Sequence, residues 1–325
     1  MFKRNPYRRD RSGGGFLTRL KNRFNFKITF TGYEGRWWRR GAAALGVLLL
    51  IVIAAIVMRP EAQIMGSVEI SRIRDRGILY VGVRSDVPAF NEKGSGAEIE
   101  LAKLLAARML PDADDPIKFF DCTSKTVSTK LSDGSIDAAI ALLPNGKNRS
   151  YAYSYPYYTD NVYLVTLKSE LRSAQPIDLK IGYVQDTPSA DVLSDYKNEV
   201  TAVKEKTILE KIFGKPDEEY VVEQEKQLDI TKYGSFKEMI DALMRGDIDA
   251  AVMAGAYVNK YFVVYSAEYT GRAKYYLNDT VIGTVEYCFV SSSDEPALMQ
   301  LADMMIYDMQ RDGSLYTLLA RYGLE

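Results

Sequence analysis

Hydrophobic and polar positions after residue 65 switch between the period of a strand and the period of a helix. Short apolar runs rich in β-branched residues predict strands at 78–83, 117–122, 135–143 and 282–292. Apolar residues at helical spacing predict helices at 96–110, 125–134, 235–245, 295–310 and 314–323, and a strand followed by a helix is expected within 180–196. Strands that alternate with helices favour βαβ units and mostly parallel sheets, so the pattern predicts an α/β fold.

One ten-residue phrase occurs twice in this pattern, as LSDGSIDAAI from Leu131 and as LMRGDIDAAV from Leu243. We expect the glycine of each copy to end a helix in the left-handed conformation, and the isoleucine to begin a buried strand. The aspartate is expected to bind backbone amides. Two copies in order predict two similar α/β lobes, and they indicate a structural role rather than a catalytic one.

A run without charged residues, Gly41–Met58, precedes these lobes. As a helix, its 18 residues would span about 27 Å, which is enough to cross the hydrocarbon core of a membrane. Trp37 and Trp38 lie just before it, where interfacial aromatic residues are common. The positive-inside rule then places residues 1–40 in the cytoplasm and everything after a linker at 59–65 outside the cell membrane. A cleavable signal peptide is the alternative, although about forty residues precede the run and no Ala-x-Ala site follows it.

The net charge of −1 conceals a strong division along the chain. Residues 1–40 carry twelve Lys and Arg against two acidic residues, whereas the remainder carries 30 basic and 41 acidic residues (42 − 12 and 43 − 2). This division indicates two compartments and assigns the basic tail to topology and contact with anionic lipid, not to nucleic acid. A hydrophobic fraction of 47% and a charged fraction of 26% are typical of a folded protein.

The residue types exclude several kinds of chemistry. The sequence has no His, so Ser-His-Asp and Cys-His catalysis are excluded, and a zinc site would need carboxylates alone. Cys122 and Cys288 each lie in or beside an apolar run, and we expect free, buried thiols; a disulfide is the alternative outside the membrane. The sequence therefore predicts no metal, no cofactor and no enzymatic activity.

From Glu69 onward the chain resembles the extracellular solute-binding proteins of the type-2 periplasmic-binding fold, specifically the polar-amino-acid-binding group that serves ABC transporters. The segments that carry the resemblance are GILYVGVRSDVPAF, GAEIELAKLLA, LSDGSIDAAIALLPNGKNRSYAYSYPYY, KIGYVQDTPSADVL, SFKEMIDALMRGDIDAAVM and MQRDGSLYTLLARYG. The resemblance implies two lobes that are joined by two crossover strands, and the transmembrane helix predicted from the apolar run would precede them here. Lobe 1 would comprise 66–168 and 283–325, and lobe 2 would comprise 169–282. About 194–230 is expected to be a surface insert of lobe 2, with a partner-docking helix as the alternative.

The resemblance also implies a ligand site between the lobes. Arg149 stands where similar proteins clamp a ligand carboxylate, and a loop arginine paired with a surface acid is the alternative. Phe90 stands where similar proteins stack an aromatic ring on the ligand, and a core residue of lobe 1 is the alternative. Thr187 and Ser189 would bind an anionic group at the start of a helix, or cap that helix without a ligand. The remaining residues expected at the ligand are Asp86, Leu142 and Asp186.

Ala254 departs from the pattern of similar proteins, which carry there a carboxylate for the ammonium group of the ligand. Burying an ammonium without a counter-charge costs on the order of several kcal/mol. The ligand is therefore expected to be small, polar, and anionic or amino-acid-like. Alternating tyrosines at 151, 153, 155 and 157 fit either packing at a crossover strand or stacking on a ligand.

These observations predict a membrane-tethered extracellular receptor that captures a small-molecule ligand and delivers it to the permease of an ABC importer. A sensory or interaction module, which signals ligand occupancy to a partner membrane protein, is the alternative. Some proteins of this fold are enzymes or carry enzymatic domains, but the chain has no His and no conspicuous pair of carboxylates for acid–base catalysis.

Overall fold

The computed structural model describes residues 42, 45–49, 60–146, 148–199 and 227–324. Contacts divide the chain at Pro60, and the unit from residue 61 onward contains the fold described below. Of the predicted span 41–58, residue 42 and residues 45–49 are helical; the rest of the span and the tail 1–40 lie outside the described residues. Within the part of the chain that the structure describes, no helix has the length and apolarity needed to cross a membrane.

Helices and strands alternate through the unit, as the sequence pattern predicts. The helices are α1 (Pro60–Met65), α2 (Val68–Arg76), α3 (Ala97–Met109), α4 (Val127–Ser132), α5 (188–199), α6 (Phe236–Arg245), α7 (Gly255–Val258), α8 (Ser266–Tyr269), α9 (Ala297–Asp312) and α10 (Ser314–Arg321). A π-helix, Asn259–Val264, lies between α7 and α8, and short 3-10 helices cover Ser169–Leu171 and Pro176–Asp178. The strands are β1 (Leu79–Val83), β2 (Asp86–Val87), β3 (Asn91–Glu92), β4 (Ile117–Asp121), β5 (Ala138–Pro144), β6 (Tyr151–Tyr153), β7 (Tyr158–Thr166), β8 (Lys180–Val184), β9 (Asp229–Tyr233), β10 (Ala250–Ala254) and β11 (Tyr276–Ser292).

One sheet runs through both lobes in the order β4-β1-β5-β11-β7-β10-β8-β9, with β6 paired to β11. Strand β1 is parallel to its neighbours β4 and β5, and β8 is parallel to β9 and β10. The two long strands β7 and β11 are antiparallel to each other and connect the two parallel groups. They are the crossover strands that the resemblance implies.

The repeated phrase has the same structure in both lobes. Gly134 and Gly246 follow α4 and α6 with φ angles of 72° and 79°, the left-handed conformation that glycine adopts without strain. Asp137 accepts the backbone N–H of Tyr80 at 2.8 Å, and Asp249 accepts that of Lys180 at 3.1 Å. Each aspartate therefore fixes the start of the neighbouring parallel strand, β1 or β8, and the structural interpretation of the phrase is confirmed.

The isoleucine of each phrase packs against a glycine in that neighbouring strand. A methyl group built on Gly82 would lie 2.7 Å from Cδ1 of Ile136, and one built on Gly182 would lie 2.4 Å from Cδ1 of Ile248. Both isoleucines are buried. Each lobe thus contains an equivalent isoleucine–glycine contact in its core. The contact requires a strand residue without a side chain, and it packs each helix–strand unit against the neighbouring strand.

The alternating tyrosines do not share one environment. Tyr151 and Tyr153 meet edge to face on β6, with ring centroids 6.0 Å apart, while Tyr155 is exposed. Tyr157 is buried, and Tyr158 is stacked on Tyr287 of β11. Apart from the exposed Tyr155, these tyrosines pack on the protein itself, which was one of the two interpretations of the sequence.

The structure confirms that both cysteines are free and buried. Burial raises the pKa of the Cys122 thiol, and it raises the pKa of Cys288 to about 12. We therefore expect a thiol reagent at neutral pH to leave the native chain unmodified and to modify both cysteines after denaturation. Ser169→Cys, at an exposed position, serves as the reactive control; rapid modification of the unaltered native chain would contradict the burial of its thiols.

The insert expected at about 194–230 falls mostly outside the described residues, because 200–226 are not described. Its first residues continue α5 to residue 199, and its last two belong to β9, which pairs with β8 over five positions. The sheet of lobe 2 therefore includes a strand that the sequence pattern did not predict. Asp229 and Lys232 interrupt the apolar pattern of this edge strand, so hydrophobic periodicity did not reveal it.

Candidate functional site

The carboxyl ends of the parallel strands in the two lobes face each other. In α/β sheets, ligands bind just outside these ends, where loops from several strands converge. Arg84 directly follows β1 of lobe 1, and Tyr257 lies in α7, which directly follows β10 of lobe 2. Nη1 of Arg84 donates a hydrogen bond of 2.7 Å to the Tyr257 hydroxyl, so the two ends are in contact.

Charged side chains reinforce this contact between the lobes. Arg84 binds Asp86 with two hydrogen bonds, from Nε to Oδ1 at 2.7 Å and from Nη2 to Oδ2 at 3.0 Å. Nζ of Lys260, in the π-helix of lobe 2, donates to Oδ2 of the same carboxylate at 2.8 Å. Although burial acts in the opposite direction, the hydrogen bonds from Arg84 and Lys260 hold the pKa of Asp86 well below its usual value. Asp86 is therefore a carboxylate bridging two cations, one from each lobe.

A cavity of about 290 Å³ lies between the lobes on the side of the crossover strand β11. Lobe 1 contributes the end of β5 and the turn after it, and lobe 2 contributes the first half of α5. The lining residues are Pro144, Asn145, Gly146, Pro188, Asp191, Val192, Asp195, Thr284, Val285 and Glu286. Three carboxylates and an amide make this cavity acidic and polar.

Asp86 is the predicted site residue that the structure places most clearly between the lobes. Arg149 is exposed, and it precedes β6 by two residues. Tyr151 of β6 pairs with Ser292, whereas the end of β5 beside the cavity pairs with Tyr287. Arg149 therefore lies at the opposite end of the lobe 1 sheet, and the structure does not bring it to Asp86.

Phe90 has no exposed surface, and its ring packs edge to face on Tyr158 at 5.3 Å and on Tyr287 at 6.5 Å. A ring without accessible surface cannot stack on a ligand in this conformation. The structure thus places Phe90 in the core of lobe 1, the alternative that the sequence left open.

Thr187 and Ser189 are bound to the chain itself at the start of α5. The Thr187 hydroxyl donates to the carbonyl of Val184 at 2.7 Å and accepts a long bond from the N–H of Ala190 at 3.4 Å. The buried Ser189 hydroxyl accepts the N–H of Ala254 at 3.1 Å and ties α5 to the end of β10. Thr187 thus caps α5 and Ser189 joins α5 to β10, and Asp186 is exposed beside them with a φ angle of 56°.

A carboxylate does lie beside Ala254, but another strand provides it. Asp160 of crossover strand β7 accepts the N–H of Gly255 at 3.1 Å and that of Ala256 at 2.9 Å, and it is buried. Burial raises its pKa to about 6, against the opposing effect of these hydrogen bonds. Sequence reasoning looked for the acid within the lobe 2 loop and missed Asp160, whose only signal was one aspartate in an apolar crossover segment.

A second buried carboxylate lies behind the loop of lobe 1. Oε1 of Glu98 accepts the N–H of Leu142 at 2.7 Å and the hydroxyl of Tyr157, whereas Oε2 is buried without a hydrogen-bond partner among the described residues. Burial raises the pKa of Glu98 to about 7, although both hydrogen bonds act to lower it. Leu142 is itself buried and has a φ angle of 50°, a conformation that is uncommon for leucine. Leu142 therefore positions Glu98 rather than contacting a ligand directly.

Among the residues that the structure describes, no group of three or more acidic or Cys side chains is arranged to hold a metal ion. The polar groups between the lobes are cations and carboxylates, which are side chains able to form hydrogen bonds with organic ions. The arrangement is suited to binding a charged small molecule.

Sequence comparison with known families gives one match over most of the chain. Residues 79–325 match the family described as "Bacterial extracellular solute-binding proteins, family 3". The match begins at the first residue of β1 and includes both lobes.

Solved structures of similar fold belong to binding proteins. A mutant of ArgBP from T. maritima has 21% sequence identity and a TM-score of 0.54, with 79% of this chain and 100% of that chain covered. An amino acid ABC transporter substrate-binding protein from Streptococcus pneumoniae, bound to L-arginine, has 16% identity and a TM-score of 0.53, with coverage of 79% and 98%. The ligand-binding core of GluR0 in complex with L-glutamate has 14% identity and a TM-score of 0.54, with coverage of 76% and 98%. At these identities the likeness shows the fold, and it confirms the predicted two-lobed type-2 periplasmic-binding architecture.

Proposed function

Because the chain belongs to the bacterial extracellular solute-binding proteins of family 3, we propose that it captures a small, polar, amino-acid-like ligand between its lobes. The observation that carries the proposal is the convergence of charged side chains from both lobes at the carboxyl ends of β1 and β10, together with a cavity of about 290 Å³ that both lobes line. Membership in a family of solute-binding proteins also agrees with the expectation that the chain is not an enzyme.

The charges in the cleft favour a ligand with groups of both signs. Asp191, Asp195 and Glu286 line the cavity and favour a cationic group, while Arg84 and Lys260 attract a carboxylate. The similar proteins from S. pneumoniae and GluR0 were crystallised with L-arginine and L-glutamate, respectively. Amino acids of this kind combine a carboxylate with an ammonium group, so they are our first candidates.

The N-terminal sequence supports a membrane tether for this binding unit. We propose that the apolar run 41–58 crosses the cell membrane once, with residues 1–40 in the cytoplasm and the lobes outside. A tethered binding protein remains close to a permease in the same membrane, so delivery to an ABC importer is the function that we propose.

A sensory module is the second candidate. Arg84, Asp86, Tyr257 and Lys260 already join the lobes through the protein's own side chains. A lobe contact of this kind suits a module that reports occupancy to a partner membrane protein. Purification of the full chain from membranes distinguishes the two functions. Co-purified importer subunits would support delivery to an importer, whereas a co-purified signalling or envelope protein would support a sensor.

The proposed function predicts that some amino acids raise the melting temperature of the full chain. A ligand at about 100 times its Kd stabilises a protein by about 2.7 kcal/mol, which corresponds to a shift of about 5 °C for a domain of this size. We would measure melting of the detergent-solubilised chain with each common amino acid and with simple di- and polyamines. Glu286→Gln, which removes one charge from the cavity, should reduce the shift, and the exposed variant Asp279→Asn should not. A melting temperature that no compound changes would contradict the proposal.

A further inference from the structure

We propose that Asp86 acts as an internal carboxylate ligand, and that a carboxylate of the bound solute takes its place between Arg84 and Lys260. The inference rests on the proposed function and adds to it the position of one ligand group. It also explains how the lobes make contact through their own side chains.

The geometry around Asp86 is that of a bound carboxylate. Arg84 approaches it from lobe 1 with two donors, and Lys260 approaches from lobe 2 with a third, at distances between 2.7 and 3.0 Å. A planar guanidinium that meets both carboxylate oxygens is the usual arrangement for recognising a carboxylate. Any other small carboxylate in this position would receive the same three donors.

Arg84 has contacts other than the one with Asp86. The amide of Asn91 donates to the carbonyl of Arg84 at 2.7 Å, and the Arg84 guanidinium also binds the Tyr257 hydroxyl and lies 5.5 Å from the centre of its ring. Tyr257 is in turn stacked on Phe236 at 4.7 Å. The Arg84 guanidinium therefore keeps a hydrogen bond and a ring contact from Tyr257 of lobe 2 when the carboxylate is removed.

Lys260 also has a contact within its own lobe. Lys260 is only 8% exposed, and its ammonium group lies 5.1 Å from the centre of the Tyr261 ring. Among the described residues, Asp86 is the only carboxylate within 4 Å of either cation. Removing Asp86 would leave two largely buried positive charges without a counter-ion. This is energetically unfavourable and favours the binding of an anion in its place.

Asp86 itself is the least constrained member of the cluster. Its side chain is 52% exposed, against 20% for Arg84 and 10% for Lys260. It belongs to a two-residue strand, β2, that pairs only with β3 and lies outside the main sheet. An exposed carboxylate on a short separate strand can move away while both cations keep their positions.

A tethered carboxylate competes with a free one through its effective concentration, which reaches the millimolar range for short flexible tethers. In the natural chain, small monocarboxylates without further contacts should therefore fail to displace Asp86. A ligand with additional contacts in the cleft can displace it. Asp86 therefore sets a minimum affinity that a ligand must exceed to displace it, and this favours ligands large enough to contact both lobes.

The test uses acetate as a minimal carboxylate and the full chain in detergent. One fluorophore is placed on lobe 1 at Lys125→Cys and another on lobe 2 at Lys237→Cys, both exposed positions. In Asp86→Ala we expect lower energy transfer, because the bridge is lost, and recovery on addition of acetate with a Kd on the order of 10 mM. Acetate should not change energy transfer in the chain that retains Asp86. Chloride at equal ionic strength should not change energy transfer in that chain or in Asp86→Ala.

Matched variants show whether the acetate response is specific to the loss of the Asp86 carboxylate. Asp86→Asn retains the volume of the side chain, so acetate should raise its energy transfer less than that of Asp86→Ala. Asp279→Ala removes an exposed partner of Arg172, and acetate should not change its energy transfer. Asp86→Ser leaves similar space and replaces the alanine variant if that one does not fold. Energy transfer in Asp86→Ala that acetate leaves unchanged would overturn the proposal. The acetate response is measured without any solute from the amino-acid panel, so it succeeds or fails separately from the proposed function.

Discussion

Replacing Asp160 with alanine is expected to destabilise the folded chain by about 3 kcal/mol, because two buried N–H groups lose their acceptor. The carboxylate binds the N–H groups of Gly255 and Ala256 at the start of α7, and it joins crossover strand β7 to the end of β10. Thermal unfolding of the full chain should show a melting temperature lower by about 6 °C.

The size of this effect depends on which acceptor remains. Asp160→Asn keeps one oxygen acceptor and should cost less than alanine, whereas Asp279→Ala removes an exposed ion pair and should cost little. Gly255→Ala should also destabilise the chain, since the added methyl group would lie 2.5 Å from Oδ1 of Asp160. An Asp160→Ala chain as stable as the unaltered one would show that this carboxylate does not hold the lobe 2 loop.

Replacing Glu98 with glutamine is expected to change the pH dependence of stability. The pKa of Glu98 is raised from 4.5 to about 7 in the folded chain, so the native state binds this proton more tightly than the unfolded state does. Its contribution is fully present below pH 4.5 and is lost as the pH rises through 7. The difference corresponds to about 3 kcal/mol of unfolding free energy.

We expect the stability of Glu98→Gln, relative to the unaltered chain, to improve by about 3 kcal/mol between pH 5 and pH 8. Denaturant unfolding at a series of pH values measures this difference directly. Asp160, whose pKa is raised to about 6, contributes in the same direction to both chains and cancels in the comparison. Tyr157→Phe removes a hydrogen bond that lowers the pKa of Glu98, so it should extend the loss of stability to higher pH. Parallel pH curves for Glu98→Gln and the unaltered chain would contradict the assignment.

The fold was predictable because its signals are local. Gly134 and Gly246 end their helices as the repeated phrase predicts, and the aspartate and isoleucine of each copy act within one lobe. The order of strands and helices then follows from hydrophobic periodicity. Periodicity did not predict β9, in which Asp229 and Lys232 interrupt the apolar pattern, and it did not predict α1, α2, β2, β3 or the short helices around the π-helix.

The site was less predictable because its contacts join distant parts of the sequence. Arg84 and Tyr257 lie 173 positions apart, and Asp160 binds backbone groups 95 and 96 positions away. No local pattern distinguishes Arg84 from Arg149, and only the approach of the lobes shows which arginine lies between them. Asp86 was predicted at the cleft, but its role as a bridge between two cations depends on Lys260, which sequence reasoning did not select.

Titration calorimetry tests the central claim, that a small ligand binds between the lobes, most directly. The full chain would be titrated with the amino acid that gives the largest melting shift, and the same titration would be repeated with Lys260→Met, Glu286→Gln and the surface control Asp279→Asn. We predict one binding site per chain, weakened at least about tenfold by either cleft substitution, which corresponds to 1.4 kcal/mol or more, and unchanged in the control. Binding of equal affinity in all four chains, or no binding of any amino acid, would contradict the account.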